Sequence, residues 1–303
     1  MSVVVENIHK NYGAVHALND VCFTAPKGEI SGIIGPDGAG KTTLFRILTT
    51  LILADSGTAL VDGFDVVKEY KKIRHLVGYM PGRFSLYQDL TVEENLKVFA
   101  SVFNTTIEEN EHLIRDIYQQ IEPFKNRRAG ALSGGMKQKL ALSCALIHKP
   151  SVLFLDEPTT GVDPVSRKEF WDMLQRLKGE GITMLVSTPY MNEAALCDRI
   201  SLIQSGKIFK TDTPENIVRD FSGILWAVCS NHMSKLLTDL RKHPAVNICY
   251  AFGDSHHVIV NDPQLQPAML YAWLAEQGHE HIDVRPIEAG IEDCFIHLTS
   301  GKS

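Results

Sequence analysis

The sequence has neither the paired cysteines of a zinc or disulfide framework nor an apolar run long enough to cross a membrane. Its 303 residues include six cysteines, and none of them belongs to a C-x-x-C pair. Scattered cysteines of this kind are typical of reduced, mostly buried thiols. No run approaches the ~18 apolar residues of a transmembrane helix, and the N-terminus lacks the pattern of a signal peptide. We therefore expect any membrane attachment to come through a partner.

An excess of basic charge is also missing. The chain carries 30 Lys and Arg against 36 Asp and Glu, which gives a formal net charge of −6. A protein that binds nucleic acid through a broad basic surface has the opposite balance, so we expect no nucleic-acid partner. The hydrophobic content of 44% is ordinary for a globular protein, and the length allows about two domains with a sizeable core.

The most informative segment is a glycine-rich turn between two apolar runs. The residues before it, from Glu29 to Ile34, predict a buried strand, and those from Thr43 to Leu48 predict the first turns of a helix. Such a turn aims backbone N–H groups and the positive end of the helix dipole at one point, which suits a polyphosphate. In the pattern G-x-x-x-x-G-K-[ST], the lysine reaches the β and γ phosphates of ATP and the hydroxyl binds Mg²⁺. The residues predicted to bind nucleotide here are Gly35, Asp37, Gly38, Ala39, Gly40, Lys41, Thr42 and Thr43, with Thr42 also on the metal.

Two carboxylates follow a second apolar run. Residues Ser151 to Leu155 predict a central parallel strand, and this strand ends in Asp156 and Glu157. Open α/β sheets bind ligands at the carboxyl ends of their strands. We therefore expect Asp156 to bind Mg²⁺, directly or through water, and Glu157 to act as general base on the attacking water. The alternative is an acidic strand end that faces solvent.

A third motif lies between these two. Ser133, Gly134 and Gly135, followed by a helical pattern that includes Gln138, form a second helix start with a serine N-cap and exposed N–H groups. The segment Leu132–Gln138 matches the LSGGQ-type signature, and the chain resembles the ABC ATPases over about its first 220 residues. In that family each ATP lies between the phosphate loop of one protomer and the signature of the other. The alternative is an ordinary capped helix.

Further positions match the family residue by residue. Tyr12 corresponds to the aromatic residue that stacks on adenine, although a lone tyrosine is more often core or surface. Asp163 corresponds to the loop residue that communicates across the dimer. Asp37 stands where the family often has asparagine, and because its carboxylate can point outward we expect nucleotide binding to survive.

Two family residues are missing. Gly82 stands where the family places a glutamine that touches the metal and the water, and Pro189 stands where it places a histidine on the γ-phosphate. Proline has neither a side-chain donor nor a backbone N–H. Since losing one preorganised donor typically costs about 10²–10³ in rate, we expect this chain's own ATP site to bind nucleotide but to hydrolyse it weakly.

The resemblance divides the chain into blocks. Residues 1–85 and 149–220 correspond to the ATP-binding core, and residues 86–148 to the helical subdomain that carries the signature. Thr91 and Glu94 fit a capping box at the start of a helix in this subdomain. The residues just after Gly82, among them Phe84, Leu86 and Tyr87, are expected to meet a transporter's coupling helix. The alternative is that these three are local core.

Residues 221–303 form a separate pattern. Strands are predicted over 224–229, 246–252, 257–260 and 282–286, and helices over 233–242, 265–277 and 291–298. The order βαββαβ predicts a ferredoxin-like domain with an accessory or regulatory role. Its ending, from Gly290 to Thr299, resembles the tail of bacterial drug-export-type ABC ATPases. The predicted fold is therefore an α/β P-loop ABC ATPase core with a helical signature subdomain and a small α+β C-terminal domain.

The function that follows is an ATP- and Mg²⁺-binding ATPase subunit of an ABC exporter. It is expected to be peripheral on the cytoplasmic face of the inner membrane, as a homodimer or a heterodimer with another ABC ATPase, beside a transmembrane permease subunit. One rival is a non-transport ABC protein that acts on ribosomes or DNA, which the acidic charge disfavours. The other is a regulatory subunit that senses nucleotide without turnover.

Overall fold

A computed structural model describes residues 1–300 and divides the chain into two compact units, Met1–Pro214 and Glu215–Ser303. The sequence placed the division after residue 220. Helix α8 (Pro214–Arg219) instead falls at the division, and the ring of Phe221 packs edge-on against His297, 5.2 Å between centroids, so this segment belongs with the second unit.

The first unit contains ten strands and seven helices among the residues described, apart from α8. The strands are β1 (Val3–Tyr12), β2 (Val15–Ala25), β3 (Ile30–Ile34), β4 (Ser56–Val61), β5 (Phe64–Asp65), β6 (Val77–Met80), β7 (Val152–Asp156), β8 (Thr183–Thr188), β9 (Arg199–Gln204) and β10 (Lys207–Asp212). The helices are α1 (Lys41–Leu48), α2 (Tyr70–Leu76), α3 (Val92–Val102), α4 (Glu111–Tyr118), α5 (Gly134–Leu146), α6 (Pro164–Gly179) and α7 (Met191–Ala194).

A six-stranded sheet of order β10-β9-β3-β8-β7-β6 positions the predicted site. Its strands β3 and β6–β9 run parallel, and β10 is an antiparallel edge strand. Every residue of β3, β7 and β8 is buried, as expected of strands covered on both faces. Because these three strands are neighbours, their carboxyl ends bring the turn after Ile34 and the pair Asp156 and Glu157 to one edge of the sheet.

Packing fixes helix α1 against this sheet. The buried rings of Phe45 in α1 and Phe154 in β7 meet edge-on with centroids 5.8 Å apart. Full burial of one such side chain contributes about 1.5–3 kcal/mol, so the contact holds the start of α1 beside the end of β7. A second, antiparallel sheet of order β2-β1-β4-β5 contributes to the same core.

Residues 86–148 are mostly helical. Helix α3 begins with the predicted capping box: the Thr91 hydroxyl accepts from the backbone N–H of Glu94 at 3.2 Å, and the Glu94 carboxylate accepts from the backbone N–H of Thr91 at 2.8 Å. Leu86 is core, whereas Tyr87 is 58% exposed. Short 3₁₀ helices occupy Glu108–Asn110, Glu122–Phe124 and Ala129–Ala131.

The second unit has the predicted ferredoxin-like topology. It contains β11 (Ile224–Cys229), α9 (Met233–Leu240), β12 (Val246–Phe252), β13 (Ser255–Val260), α10 (Pro267–Glu276), β14 (Asp283–Pro286) and α11 (Ile291–Ser300). All pairings of its sheet are antiparallel, in the order β12-β13-β11-β14. The buried carboxylate of Asp293 ties α11 to this sheet, since it accepts hydrogen bonds from the Tyr250 hydroxyl and, at 2.6 Å, from the His257 ring.

Candidate nucleotide-binding site

The turn between β3 and α1 is shaped by close contacts with β2. Gly40, the N-cap of α1, adopts φ 107°, and a Cβ at this position would lie 2.4 Å from the carbonyl oxygen of Ala17. Only glycine meets both conditions. Gly38 also has a positive φ of 77° and faces open space. The turn can therefore bring its backbone N–H groups close to a bound phosphate.

Lys41 is held at the centre of this turn. Its side chain is 3% exposed, and its ammonium donates to the carbonyl oxygens of Gly35 at 2.9 Å and Pro36 at 3.0 Å. The same ammonium lies 3.1 Å from the Glu157 carboxylate. A buried cation surrounded only by oxygen acceptors is a ready partner for phosphate oxygens.

The acidic end of β7 is joined to β8 by one hydroxyl. The Ser187 hydroxyl donates to the Asp156 carboxylate at 2.6 Å and accepts from the backbone N–H of Glu157 at 3.0 Å. Asp156 is 1% exposed. Glu157 adopts a left-handed φ of 51°, which is uncommon for a residue with a side chain and tends to occur at functional sites.

One cavity of about 570 Å³ is lined by residues of the glycine-rich turn and by Glu157. Tyr12, which is 49% exposed at the end of β1, lines the cavity together with Lys41 and Glu157. The cavity also includes residues that no motif predicted, contributed by β2 and by the turn between β9 and β10. Its full lining is Tyr12, Val15, His16, Ala17, Asn19, Gly38, Gly40, Lys41, Thr42, Thr43, Glu157 and Ser205.

Three predicted residues of the turn do not line this cavity. Asp37 is exposed, in keeping with a carboxylate that avoids the phosphates. Gly35 and Ala39 are buried and act through their backbones: Gly35 donates to the carbonyl oxygen of Thr188 at 3.3 Å, and the Ala39 carbonyl accepts from Gly206 at 3.0 Å.

The signature residues lie outside the cavity as well. The Ser133 hydroxyl caps α5 by accepting from the backbone N–H of Met136 at 3.4 Å. A Cβ at Gly135 would lie 2.8 Å from the Ser166 hydroxyl of α6, so α5 and α6 approach each other closely at this point. Gln138 is half-buried in α5. Gly134 is exposed, so the first turn of α5 presents N–H groups at the surface.

Asp163 has a local role in the structure. Its carboxylate accepts from the backbone N–H groups of Ser166 at 3.0 Å and Val165 at 3.1 Å, and so caps α6. The hydrogen bond from Ser166 keeps the pKa of Asp163 below its usual range, so this side chain is charged at neutral pH.

A second cavity, of about 440 Å³, is lined by Gly82, the position at which the resemblance predicts a glutamine. A Cβ at Gly82 would lie 3.0 Å from the carbonyl oxygen of Asp156, so position 82 adjoins the acidic strand end. Thr42 and Glu157 line both cavities. The lining of the second is Thr42, Arg46, Tyr79, Pro81, Gly82, Arg83, Asp156 and Glu157. Pro189 follows the last residue of β8, beside Thr188.

Thr42 and Asp156 have the donor chemistry that Mg²⁺ takes beside a nucleotide. No group of three or more His, Cys, Asp or Glu side chains within residues 1–300 is arranged to hold a metal ion by itself. Mg²⁺ in phosphate-binding sites needs no such cluster, because phosphates and water supply most of its ligands. One hydroxyl and one carboxylate on a shared cavity therefore suffice.

Comparison with known proteins agrees with this geometry. Residues 18–160 match the family model described as ABC transporter. The chain is 39% identical over 282 residues to the probable multidrug ABC transporter ATP-binding protein YbhF of Escherichia coli, covering 92% of this chain but 48% of that relative. It thus spans about half the length of that relative. It is 33% identical to the Nod factor export ATP-binding protein I of Burkholderia lata, covering 97% of this chain and 95% of the relative.

A drug-resistance protein and two solved ATP-binding cassettes are also similar to the chain. The doxorubicin resistance ATP-binding protein DrrA of Mycobacterium tuberculosis is 38% identical over 72% of this chain and 67% of its own length. An ATP-binding subunit of an ABC transporter aligns with TM-score 0.67 at 27% identity, over 73% of this chain and 93% of its own. A dimeric bacterial ABC transporter cassette aligns with TM-score 0.63 at 26% identity, over 70% and 98%. The chain therefore belongs to the ABC transporter family, and it is similar to the ATP-binding proteins of drug-export systems.

Proposed function

We propose that the chain is the ATP-binding subunit of an exporter for drugs or other small molecules. ATP closes a dimer, hydrolysis and release reopen it, and a separate membrane subunit converts this movement into transport. The observation that carries the proposal is the convergence of Tyr12, Lys41, Thr42 and Glu157 on one cavity. These side chains offer a ring for the base, a cation for the phosphates, a hydroxyl for Mg²⁺ and a carboxylate for the attacking water.

The dimer is supported by the position of the signature. Ser133 and Gly134 are exposed at the start of α5 and do not line this chain's own phosphate cavity. A capped helix start with free N–H groups binds phosphate, so its proposed ligand is the ATP of a second cassette, in a homodimer or a heterodimer with another ABC ATPase. Among the similar structures is a dimeric cassette, and another is described as a post-hydrolysis state bound to ADP and Pi.

Mg²⁺ is proposed to bind with the nucleotide through Thr42 and Asp156. When bound, the ion neutralises charge on the phosphate oxygens. The residues of this chain then hold the reacting groups: Lys41 the phosphates, Ser187 the carboxylate of Asp156, and Glu157 the proton of the attacking water.

A groove in the first unit is proposed to receive a helix of the permease. Its cavity is about 530 Å³ and is mostly apolar, and two of its side chains, Leu51 and Val102, are 55% and 65% exposed. Monomeric proteins rarely leave such side chains together at an open groove without a partner. The lining is Thr49, Leu51, Arg74, His75, Val77, Tyr79, Phe99, Val102, Phe103, Cys144, Ala145 and His148.

Contact with the permease helix would hold the chain at one face of the membrane. No helix within residues 1–300 is long and apolar enough to cross a bilayer. Peripheral attachment at the cytoplasmic face of the inner membrane is the location that the proposal requires. Substrate classes named for the relatives, multidrug and doxorubicin, favour a drug or small-molecule cargo.

Copurification tests this function. The tagged chain is purified from membranes of its source cells, and we expect a polytopic membrane protein to copurify with it. Val102→Asp should reduce this retention at least ~5-fold, because a charge in the groove loses the burial of an apolar side chain. Val67→Asp is the control, since Val67 is 54% exposed outside the groove. Retention of ribosomes instead of a membrane protein would contradict the proposal.

The chain's own site is proposed to hydrolyse ATP weakly. Gly82 leaves no side chain beside the Asp156 carbonyl, and Pro189 has no donor where a contact to the γ-phosphate is expected. Glu157 remains as base, and the signature can complete a fully active site on a non-identical partner. The same two positions favour a second candidate, a regulatory subunit that binds ATP without turnover. ATPase activity measured with the permease present separates the two, since only the exporter subunit accelerates on complex formation.

A further inference from the structure

Glu193 is a buried carboxylate that no motif singles out. It lies in the short helix α7, is 1% exposed, and contacts three side chains from three separate segments. The hydroxyl of Thr159 donates to Oε1 at 2.6 Å, and the hydroxyl of Thr188 donates to Oε2 at 2.6 Å. The guanidinium of Arg167 lies 3.6 Å from Oε1. A buried carboxylate with this many matched partners holds them in one geometry.

One of these partners leads to the phosphate loop. Thr188 is the last residue of β8, and its carbonyl oxygen accepts from the backbone N–H of Gly35 at 3.3 Å. Its hydroxyl also accepts from the backbone N–H of Tyr190 at 3.0 Å, which closes the turn that contains Pro189. Glu193 therefore fixes the segment that faces the expected γ-phosphate.

The other two partners lead to the signature. Thr159 follows Glu157 in the loop that ends at Asp163, and Arg167 lies in the first turn of α6 and also covers the ring of Tyr190 at 4.1 Å. In the same turn of α6, the Ser166 hydroxyl approaches Gly135 closely, since a Cβ at position 135 would lie 2.8 Å from it. Glu193 thus reaches, through α6, the helix start that carries the signature.

We propose that Glu193 is a positioning residue that makes the phosphate-facing turn and the partner-facing segment of the same chain move together. The inference rests on the proposed nucleotide-sandwich dimer. Separating the two segments requires breaking charge-assisted hydrogen bonds away from water, so a shift at the phosphate loop is passed to the residues from Thr159 to Ser166. Nucleotide binding by the monomer does not use this link, whereas dimer closure does.

The test compares Glu193→Gln and Thr159→Val with the wild-type chain. The amide keeps the volume of Glu193 but removes its charge, and valine removes one hydroxyl while the pairs with Thr188 and Arg167 remain. Glu169→Gln is the matched control, because Glu169 is 47% exposed and pairs with Lys139 between the same helices, α5 and α6, at 2.7 Å. Each protein is measured by calorimetry for ATP affinity and by sedimentation for dimerisation with Mg²⁺ and a non-hydrolysable ATP analogue.

We expect Glu193→Gln to keep its ATP dissociation constant within about twofold and to weaken dimerisation at least ~10-fold, the change expected for one lost charge-assisted hydrogen bond. Thr159→Val should weaken dimerisation less, and Glu169→Gln should change neither. A purely structural role lowers the unfolding temperature but leaves dimerisation of the folded protein unchanged. If Glu193→Gln does not fold, Thr159→Val carries the same test.

Two results would overturn the inference. One is unchanged dimerisation in the folded variants, and the other is an ATP affinity that falls by the same factor as dimerisation, which would make Glu193 a support of the nucleotide site alone. A wild-type chain that neither binds ATP nor dimerises would instead refute the proposed function. The two failures are therefore distinguishable.

Discussion

At the residue scale, the nucleotide site depends on one buried cation and its acceptors. Lys41 is 3% exposed and has three oxygen partners, two from the loop backbone and one from Glu157. A bound triphosphate competes with Glu157 for the ammonium, which would free the carboxylate to accept a proton from water. The charge of Lys41 thus serves phosphate binding directly and the base indirectly.

Lys41→Ala should weaken binding of Mg-ATP by about 10- to 100-fold, the loss expected when a hydrogen bond to a charged group is removed. Calorimetry on the purified chain measures the affinity. Lys72→Ala is the control, since Lys72 is 62% exposed, pairs with Glu69 at 3.0 Å and lies 4.9 Å from the centre of the Phe64 ring, with no contact to the phosphate loop among these. Undiminished affinity in Lys41→Ala would show that this loop is not the nucleotide site.

The double change Gly82→Gln with Pro189→His should raise ATP turnover at least ~10-fold, because it restores a metal and water contact and a γ-phosphate donor. The glutamine Cβ would lie 3.0 Å from the Asp156 carbonyl oxygen, so the loop must shift by a few tenths of an ångström to accept it. Steady-state phosphate release at protein concentrations that allow dimerisation measures the rate.

The matched control for this experiment adds Glu157→Gln to the double variant, and turnover should then be lost. A wild-type homodimer that hydrolyses ATP at the few-per-second rates common for enzymes would contradict the weak-site proposal. Some other residue would then replace the histidine.

At the element scale, the sequence predicted the bounds of strands whose own residues carry a strand pattern. Strands β11 and β12 begin and end at the predicted residues, 224–229 and 246–252, because both are rich in β-branched and aromatic side chains. In strands β1 and β2, the sequence shows a local strand pattern only over 2–5 and 21–23. They extend over Val3–Tyr12 and Val15–Ala25, where exposed polar residues hide the strand pattern and the pairing with each other decides the structure.

In the candidate site too, residues within local motifs were predicted, and residues brought together by the fold were not. The phosphate loop, the acidic strand end and the signature each carry their chemistry within a few residues, so motifs predicted them. His16 and Ser205 reach the nucleotide cavity, and Ser187 the acidic strand end, only because distant segments meet there. Glu193 is likewise joined to Thr159 across 34 positions of chain. Contacts of that kind follow from the topology and leave no local pattern.

Helix α5 supplies the prediction at this scale. Ser133→Arg should block ATP-dependent dimerisation and leave ATP binding by the monomer unchanged, because a bulky cation at the exposed helix start collides with the partner's nucleotide. Ser133→Thr is the control, since threonine still caps the helix. Size-exclusion chromatography in ATP reports the dimer, and equal dimer yields for the Arg variant and wild type would overturn the sandwich arrangement.

At the scale of the whole molecule, the chain forms two compact units. The first unit holds every residue of the proposed nucleotide site. The second has a core of its own, which includes Trp226, Leu236 and Leu270, and residues 221–303 carry 5 Lys and Arg against 9 Asp and Glu. Its small size, separate core and acidic surface support an accessory or regulatory role, which stays a proposal.

The proposed function requires that ATP itself closes two cassettes into a dimer. Sedimentation velocity of the wild-type chain with Mg-ATP, compared with Mg-ADP at the same protein concentration, tests this most directly. We expect a dimer with ATP, because the γ-phosphate meets the partner's signature, and a monomer with ADP. The same association state with both nucleotides would contradict ATP-driven closure between two copies of this chain.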